Sequence, residues 1–152
     1  MNAVIRFLQS RIGKKPASFM PPVTRWLDGT LKEVKKGSIT AEFVVRPEMV
    51  NPVGFMHGGL QNAIIDDVIG MTAATLGKGP FCLSVNLYVN YLGKASVGDL
   101  ITARSTILRK GKQMLNVQCE LLDVNGGIIA RGISNLVRSK IPAYEPERIL
   151  PH

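Results

Sequence analysis

The chain has 152 residues, of which 45% are hydrophobic and 20% charged, with a formal net charge of +8. That is enough for one domain with a real core and too little for two, and the balance excludes a disordered polymer. A basic surface attracts anions, so the phosphates of nucleic acid, a membrane or a nucleotide cofactor are all admitted as partners, with plain solubility as the simplest use of the charge.

The first 27 residues carry Arg6, Arg11, Lys14, Lys15 and Arg25, and no acid precedes Asp28. This stretch lacks the basic-then-apolar order of a secretory signal, which points to a cytoplasmic protein, although an organelle presequence shares its charge bias. Val4, Ile5, Leu8 and Ile12 fall on one helical face, so residues 1–24 are expected to form an extension with one short helix packed on the domain. Leu31–Val34 and Ser38–Val45 flank Lys35-Lys36-Gly37, and the alternation of Ile39, Ala41, Phe43 and Val45 with polar neighbours predicts an opening β-hairpin.

From Gly58 to Leu76 the chain is too long for a strand, has no proline, and stops at Gly77 as helices often do. It is apolar nearly all round, which predicts a buried central helix. Asp66, Asp67 and Gly70 interrupt it, so it is not a membrane span. Four strands are predicted next, Cys82–Leu92, Asp99–Lys110, Gln113–Asp123 and Ile128–Arg138, the last two breaks being short hairpin turns. Pro142, Pro146 and Pro151 mark an irregular tail from Ile141. Cys82 and Cys119 have no spacing suited to a metal cage and read as reduced, buried thiols. A single α+β domain over 1–152 is the expectation, with a long curved antiparallel sheet wrapped around one central helix.

Gly58-Gly59 opens the helix, where first-turn N–H groups lack intrahelical partners and the helix dipole is positive, a place able to polarise a carbonyl. Glycine also lets a ligand approach the backbone closely. An ordinary loop-to-helix junction is the plainer reading. Of the two mid-helix acids, Asp66 shares a face with Gly59, Asn62, Ala63, Gly70 and Ala73, a stripe of small residues that leaves room for a substrate. Asp67 lies beside Leu60, Ile64, Met71 and Ala74 and suits a structural acid held by a strand or by another subunit. Asp66 is therefore the catalytic candidate. Gly58 and Asp66 are eight residues apart, which at the helical rise is roughly 12 Å, so one helix cannot bring both to one carbon atom. Two helices from different subunits, meeting across a two-fold axis, can. A homodimer with shared sites is expected; whether dimers pair into a tetramer is not given by the sequence.

The string Asn51-Pro-Val-Gly-Phe-Met-His57-Gly58-Gly59-Leu60, with Asp66 nine positions after His57, resembles the hotdog-fold acyl-CoA thioesterases of the phenylacetate-degradation (PaaI-like) type. Ser84-Val85-Asn86-Leu87, Asn90-Tyr91-Leu92, Gly98-Asp99 and Arg109-Lys110-Gly111-Lys112 extend the likeness across roughly residues 25–140. The resemblance implies hydrolysis of an acyl-CoA to a carboxylic acid and CoA. Gly58 N–H would polarise the thioester carbonyl, and Asp66 of the opposite subunit would activate water or attack directly. Asn51 and His57 would sit beside the thioester, and Ser84 would place the water or the acid. Plainer readings are a turn cap for Asn51, a loop hydrogen bond for His57 and an ordinary strand residue for Ser84. Gly59, Asn62, Asn86, Arg109, Lys110 and Lys112 are the substrate-binding candidates, the three basic residues for the CoA phosphates. Many members carry aspartate where this chain has Asn86. No metal or cofactor is implied, coenzyme A being part of the substrate.

A non-catalytic acyl-CoA-binding or sensing module on the same fold is the alternative, against which the retention of Asp66 argues. Dehydratase chemistry wants an aspartate–histidine pair, and the only other histidine is His152. Nucleic-acid binding is disfavoured by dispersed basic residues without a recognised motif.

Overall fold

A computed structural model describes residues 2–77 and 79–142. The elements run α1 (Ala3–Ser10), α2 (Pro22–Leu27), β1 (Thr30–Lys35), β2 (Ser38–Val44), a 3-10 turn (Pro47–Met49), α3 (Gly58–Ala74), β3 (Cys82–Tyr91), β4 (Leu100–Lys110), β5 (Met114–Leu122) and β6 (Ile128–Arg138). The strands form one antiparallel sheet in the order β1-β2-β4-β5-β6-β3. It curves around α3, as expected from the sequence, and the predicted strand limits hold to within one residue. The predicted irregular tail lies outside the described residues beyond Pro142.

Burial alternates along β2, β4, β5 and β6, so one face of each supplies the core and the other meets solvent. Ile64, Ile65, Val68 and Ile69 of α3 are fully enclosed against Ile101, Ala103, Val117, Leu121 and Ala130 of the sheet. Each buried side chain of this size contributes about 1.5–3 kcal/mol. Close seating of the helix depends on Gly132 in β6, where a Cβ would come within 2.6 Å of Ile65 Cγ2. Of the two thiols only Cys119 is fully buried, and burial pushes it up to about 12; Cys82 is half-buried.

Two expectations change. The extension contains two helices rather than one: α2 starts with Pro22 at its first helical position and stops at Asp28, which adopts the left-handed conformation (φ 57°). α1 ends at Ser10, before Ile12, so Ile5 and Leu8 are buried while Ile12 lies outside the helical face. The central helix is also not buried on every side. In one chain Gly59, Asp66, Gly70 and Ala74 form an exposed stripe.

In β3, Ser84 pairs with Leu136 and Asn86 with Asn135, which leaves Val85 as an extra, bulged residue. The bulge is held by Ser134 Oγ, which donates to the Asn86 carbonyl at 2.8 Å. Opposed residues share a face, and Leu136, Ser134 and Ala130 are all buried on the helix side. Ser84, Leu87, Val89 and Tyr91 therefore all face α3. Tyr91 lies seven positions after Ser84, so a regular strand would turn them to opposite faces.

Candidate active site

The loop before α3 is shaped by Asn51. Its Oδ1 accepts from the N–H of Val53 (3.1 Å) and of Phe55 (3.0 Å), and its N–H donates to the Phe55 carbonyl (2.7 Å). The turn-capping role is thus real for the side-chain oxygen, while Nδ2 has no acceptor among the described residues. His57 follows as the N-cap of α3: its Nδ1 accepts from Gly59 N–H at 2.9 Å, which puts the ring proton of the neutral form on Nε2. Leu60 and Gln61 donate to the His57 carbonyl.

These bonds sort the first-turn donors. Gly59 N–H is spent on His57, and Gly58 N–H has no acceptor among the described residues, at the positive end of a 17-residue helix. Each glycine also has a packing reason for its missing side chain. A Cβ on Gly58 would lie 3.1–3.2 Å from the ring and hydroxyl of Tyr91, and one on Gly59 would lie 3.0 Å from His57 Nδ1.

Two turns further on, Asp66 is exposed and accepts from the Ser84 hydroxyl through Oδ1 at 3.1 Å. Ser84 thus has a partner in the acid. Asp67 behaves differently. Its Oδ1 accepts from Thr24 Oγ1 at 2.7 Å, and its Oδ2 is enclosed without a partner among the described residues, beside a small cavity of about 20 Å³ lined by Arg11, Met20, Leu31 and Met71. Burial pushes the Asp67 carboxyl up, the Thr24 hydroxyl pulls it part of the way back, and the neighbouring Asp66 charge adds to the rise. Within its own chain Asp67 is held by α2 rather than by a strand.

Asn62 lies on the same side of α3 and accepts from the Tyr91 hydroxyl through Oδ1 at 2.9 Å. Tyr91 was not among the candidate residues. Its signal was the alternation of Leu87, Val89 and Tyr91, but Ser84 belongs to that face only through the bulge. The structure does not bring Asn86 to this cluster. It pairs with Asn135 on the outer face, and its Oδ1 accepts from Asn135 N–H at 3.1 Å and Nδ2 at 3.3 Å. Asn116 Nδ2 extends the ladder to Asn135 Oδ1 (2.9 Å). Arg109, Lys110 and Lys112 are exposed at the β4–β5 hairpin, with no acid partner among the described residues.

A donor aimed outward from a helix start, and a carboxylate standing on a stripe of small residues with a hydroxyl at its side, suit attack on a polarised carbonyl. The thioesterase superfamily model matches residues 53–130, a span that contains Gly58, Asp66, Ser84 and Tyr91, and this chain belongs to that superfamily. The fold is the hotdog and the protein is a thioester hydrolase. A phenylacetic acid degradation-related protein of Ralstonia eutropha is 32% identical, with 90% of this chain and 99% of that one superposed at a TM-score of 0.75. Human acyl-coenzyme A thioesterase 13 is 28% identical over 104 residues, 68% of this chain and 74% of the relative. The PaaI protein of Escherichia coli shares the fold at a TM-score of 0.73, covering 78% of this chain and 84% of its own, with 18% identity. No helix among the described residues is long and apolar enough to cross a membrane.

Proposed function

We propose that this protein hydrolyses an acyl-CoA thioester to a carboxylic acid and free CoA, at two sites shared by a homodimer. The observation that carries this reading is the pairing on α3 of one unspent amide, Gly58 N–H, with one exposed carboxylate, Asp66, that the Ser84 hydroxyl steadies. The likeness to human acyl-coenzyme A thioesterase 13 supports the substrate class.

The Gly58 amide donates to the thioester oxygen and stabilises the negative charge that develops there. Asp66 either takes a proton from water as the water oxygen bonds to the carbonyl carbon, or bonds to that carbon itself to form an anhydride that water then cleaves. In both routes the C–S bond breaks and the sulfur leaves as thiolate, to be protonated to free CoA. Ser84 occupies one lone pair of Oδ1 and leaves Oδ2 for the reaction. Asn51 Nδ2 is a further donor beside the thioester, and His57 holds the turn that presents Gly58. Gly59 and Asn62 line the approach, and Arg109, Lys110 and Lys112 receive the CoA phosphates. The reaction needs no metal or redox group, since amide and carboxylate supply both activation and attack.

The separation of roughly 12 Å between Gly58 and Asp66 along one helix supports a site built from Gly58 of one protomer and Asp66 of the other. β3 offers the place for the second copy: it is an outer strand of the sheet, and Val85 and Tyr88 on it are 58% and 76% exposed. The free thiols fit a reducing, cytoplasmic setting. The test is release of free thiol from a panel of short, medium, long and aryl acyl-CoAs, measured for the native protein and for Asp66→Asn. Hydrolysis by the native protein that the variant loses is expected; no release from any member of the panel overturns the reading.

A further inference from the structure

We propose that Tyr91 is a positioning residue for the carbonyl-polarising amide, acting through Asn62 and the backbone of Gly58; the inference rests on the role given above to Gly58 N–H. Three contacts converge on this side chain. Its hydroxyl donates to Asn62 Oδ1 at 2.9 Å, the same oxygen stands 3.5 Å from the Gly58 carbonyl, and its ring fills the space that a side chain on Gly58 would take, 3.1–3.2 Å from a Cβ there. Gly58 is at the first position of α3 and Asn62 lies one turn later, so the phenol spans the opening turn.

That turn has little else to fix its direction on this side. His57 holds Gly59 from before the helix, but Gly58 makes no backbone hydrogen bond through its own N–H among the described residues, and its missing side chain removes any packing of its own. Beyond the cap, this turn is tied on its buried side by Gln61 Nε2, which donates to the Met56 carbonyl at 3.1 Å, and an amide left to rock on the exposed side loses the alignment on which oxyanion stabilisation depends. Tyr91 supplies a wall and a hydrogen bond from a strand that is paired along its length with β6.

The same strand carries Ser84, whose hydroxyl reaches Asp66. The bulge at Val85 is what allows both residues to face α3. β3 therefore fixes both ends of the catalytic stretch of α3: the amide end by Tyr91 and the carboxylate end by Ser84. In this arrangement the phenol does not touch the reacting atoms, and its half-exposed ring (53%) borders the open amide.

Steady-state kinetics of the full chain test this with Tyr91→Phe, which keeps the ring, and Asn62→Ala, which breaks the same bond from the helix. Either variant is expected to lower kcat about tenfold, the scale of one lost hydrogen bond, with KM within about twofold for Tyr91→Phe and melting temperature nearly unchanged. Gly58→Pro supplies the decisive background, because it removes the N–H at a position where proline is compatible with a helix start. There Tyr91→Phe is expected to cost nothing more, while in Gly58→Ala, whose Cβ crowds Tyr91 in the same way but which keeps the N–H, it still lowers kcat, since the hydroxyl acts only through that N–H. Native kcat in Tyr91→Phe, or a loss that is fully additive with Gly58→Pro, overturns the inference while native hydrolysis leaves the proposed function standing. A native protein that releases no thiol from the panel overturns both.

Discussion

Thr24 of α2 donates its hydroxyl to Asp67 of α3 at 2.7 Å, so the N-terminal extension is fastened to the helix at the residue next to Asp66. The raised pKa of Asp67 gives this contact a pH signature. A carboxyl whose folded pKa lies above its unfolded value favours the fold while protonated, and that contribution is lost as pH rises through the folded pKa. Asp67→Asn carries no such cost. Chemical denaturation from the acid range to neutrality should show the variant gaining stability relative to the native protein as pH rises.

Asp66→Asn should lower kcat by about two to four orders of magnitude, the range for a lost general base, whereas Asp67→Asn should leave most activity in place. Ser84→Ala should fall between them, since it frees Oδ1 without removing the acid. Thiol release at saturating acyl-CoA separates the three.

Gly58→Pro should lower kcat by about 10²–10³, as loss of one oxyanion donor does, while Gly58→Ala keeps the N–H and reports only the crowding against Tyr91. His57 already has the extended backbone that precedes proline comfortably (φ −63°, ψ 136°). Circular dichroism melts should therefore show a modest change for the proline variant beside a large kinetic one.

The proposed sharing of sites predicts complementation. Gly58→Pro and Asp66→Asn should each keep at most about a hundredth of native activity alone; unfolded together and refolded as an equal mixture, they should recover about a quarter of it. Half the dimers would be mixed, and each of those would hold one intact site of two. Sites confined to single protomers would leave the mixture as inactive as its parts.

Gly132→Ala should destabilise the fold by about 1–3 kcal/mol, because its Cβ meets Ile65 at 2.6 Å in a helix–sheet contact with no slack. A lowered melting temperature is the readout.

Much of this architecture was legible from the sequence. Apolar alternation in β2, β4, β5 and β6, and the long uninterrupted run of α3, follow from burial on one face of a sheet and around a helix. The distinction between Asp66 and Asp67 also followed from helical spacing alone, and the structure separates them into an exposed and a latched acid. What the sequence concealed depends on register and distant partners. α2 has neither a side-chain cap nor the length to show a period. The bulge at Val85 cannot be seen without β6 opposite it, and Tyr91 and Asn86 were assigned to a strand but not to a face for that reason. The latch on Asp67 needed Thr24, 43 positions away.

The bulge also makes spacing within β3 a constraint in its own right. Deleting Val85 would leave a regular strand with Ser84 and Tyr91 six positions apart and still on the α3 face, whereas flattening the bulge with Val85 retained would turn over everything on one side of it: either Ser84 would leave Asp66, or Leu87, Val89 and Tyr91 would swap places with Tyr88 and Asn90. The count of residues between Ser84 and Tyr91 thus works as a reading frame for the pleat. A relative one residue shorter in that interval can present the same side chains to its helix with no bulge at all.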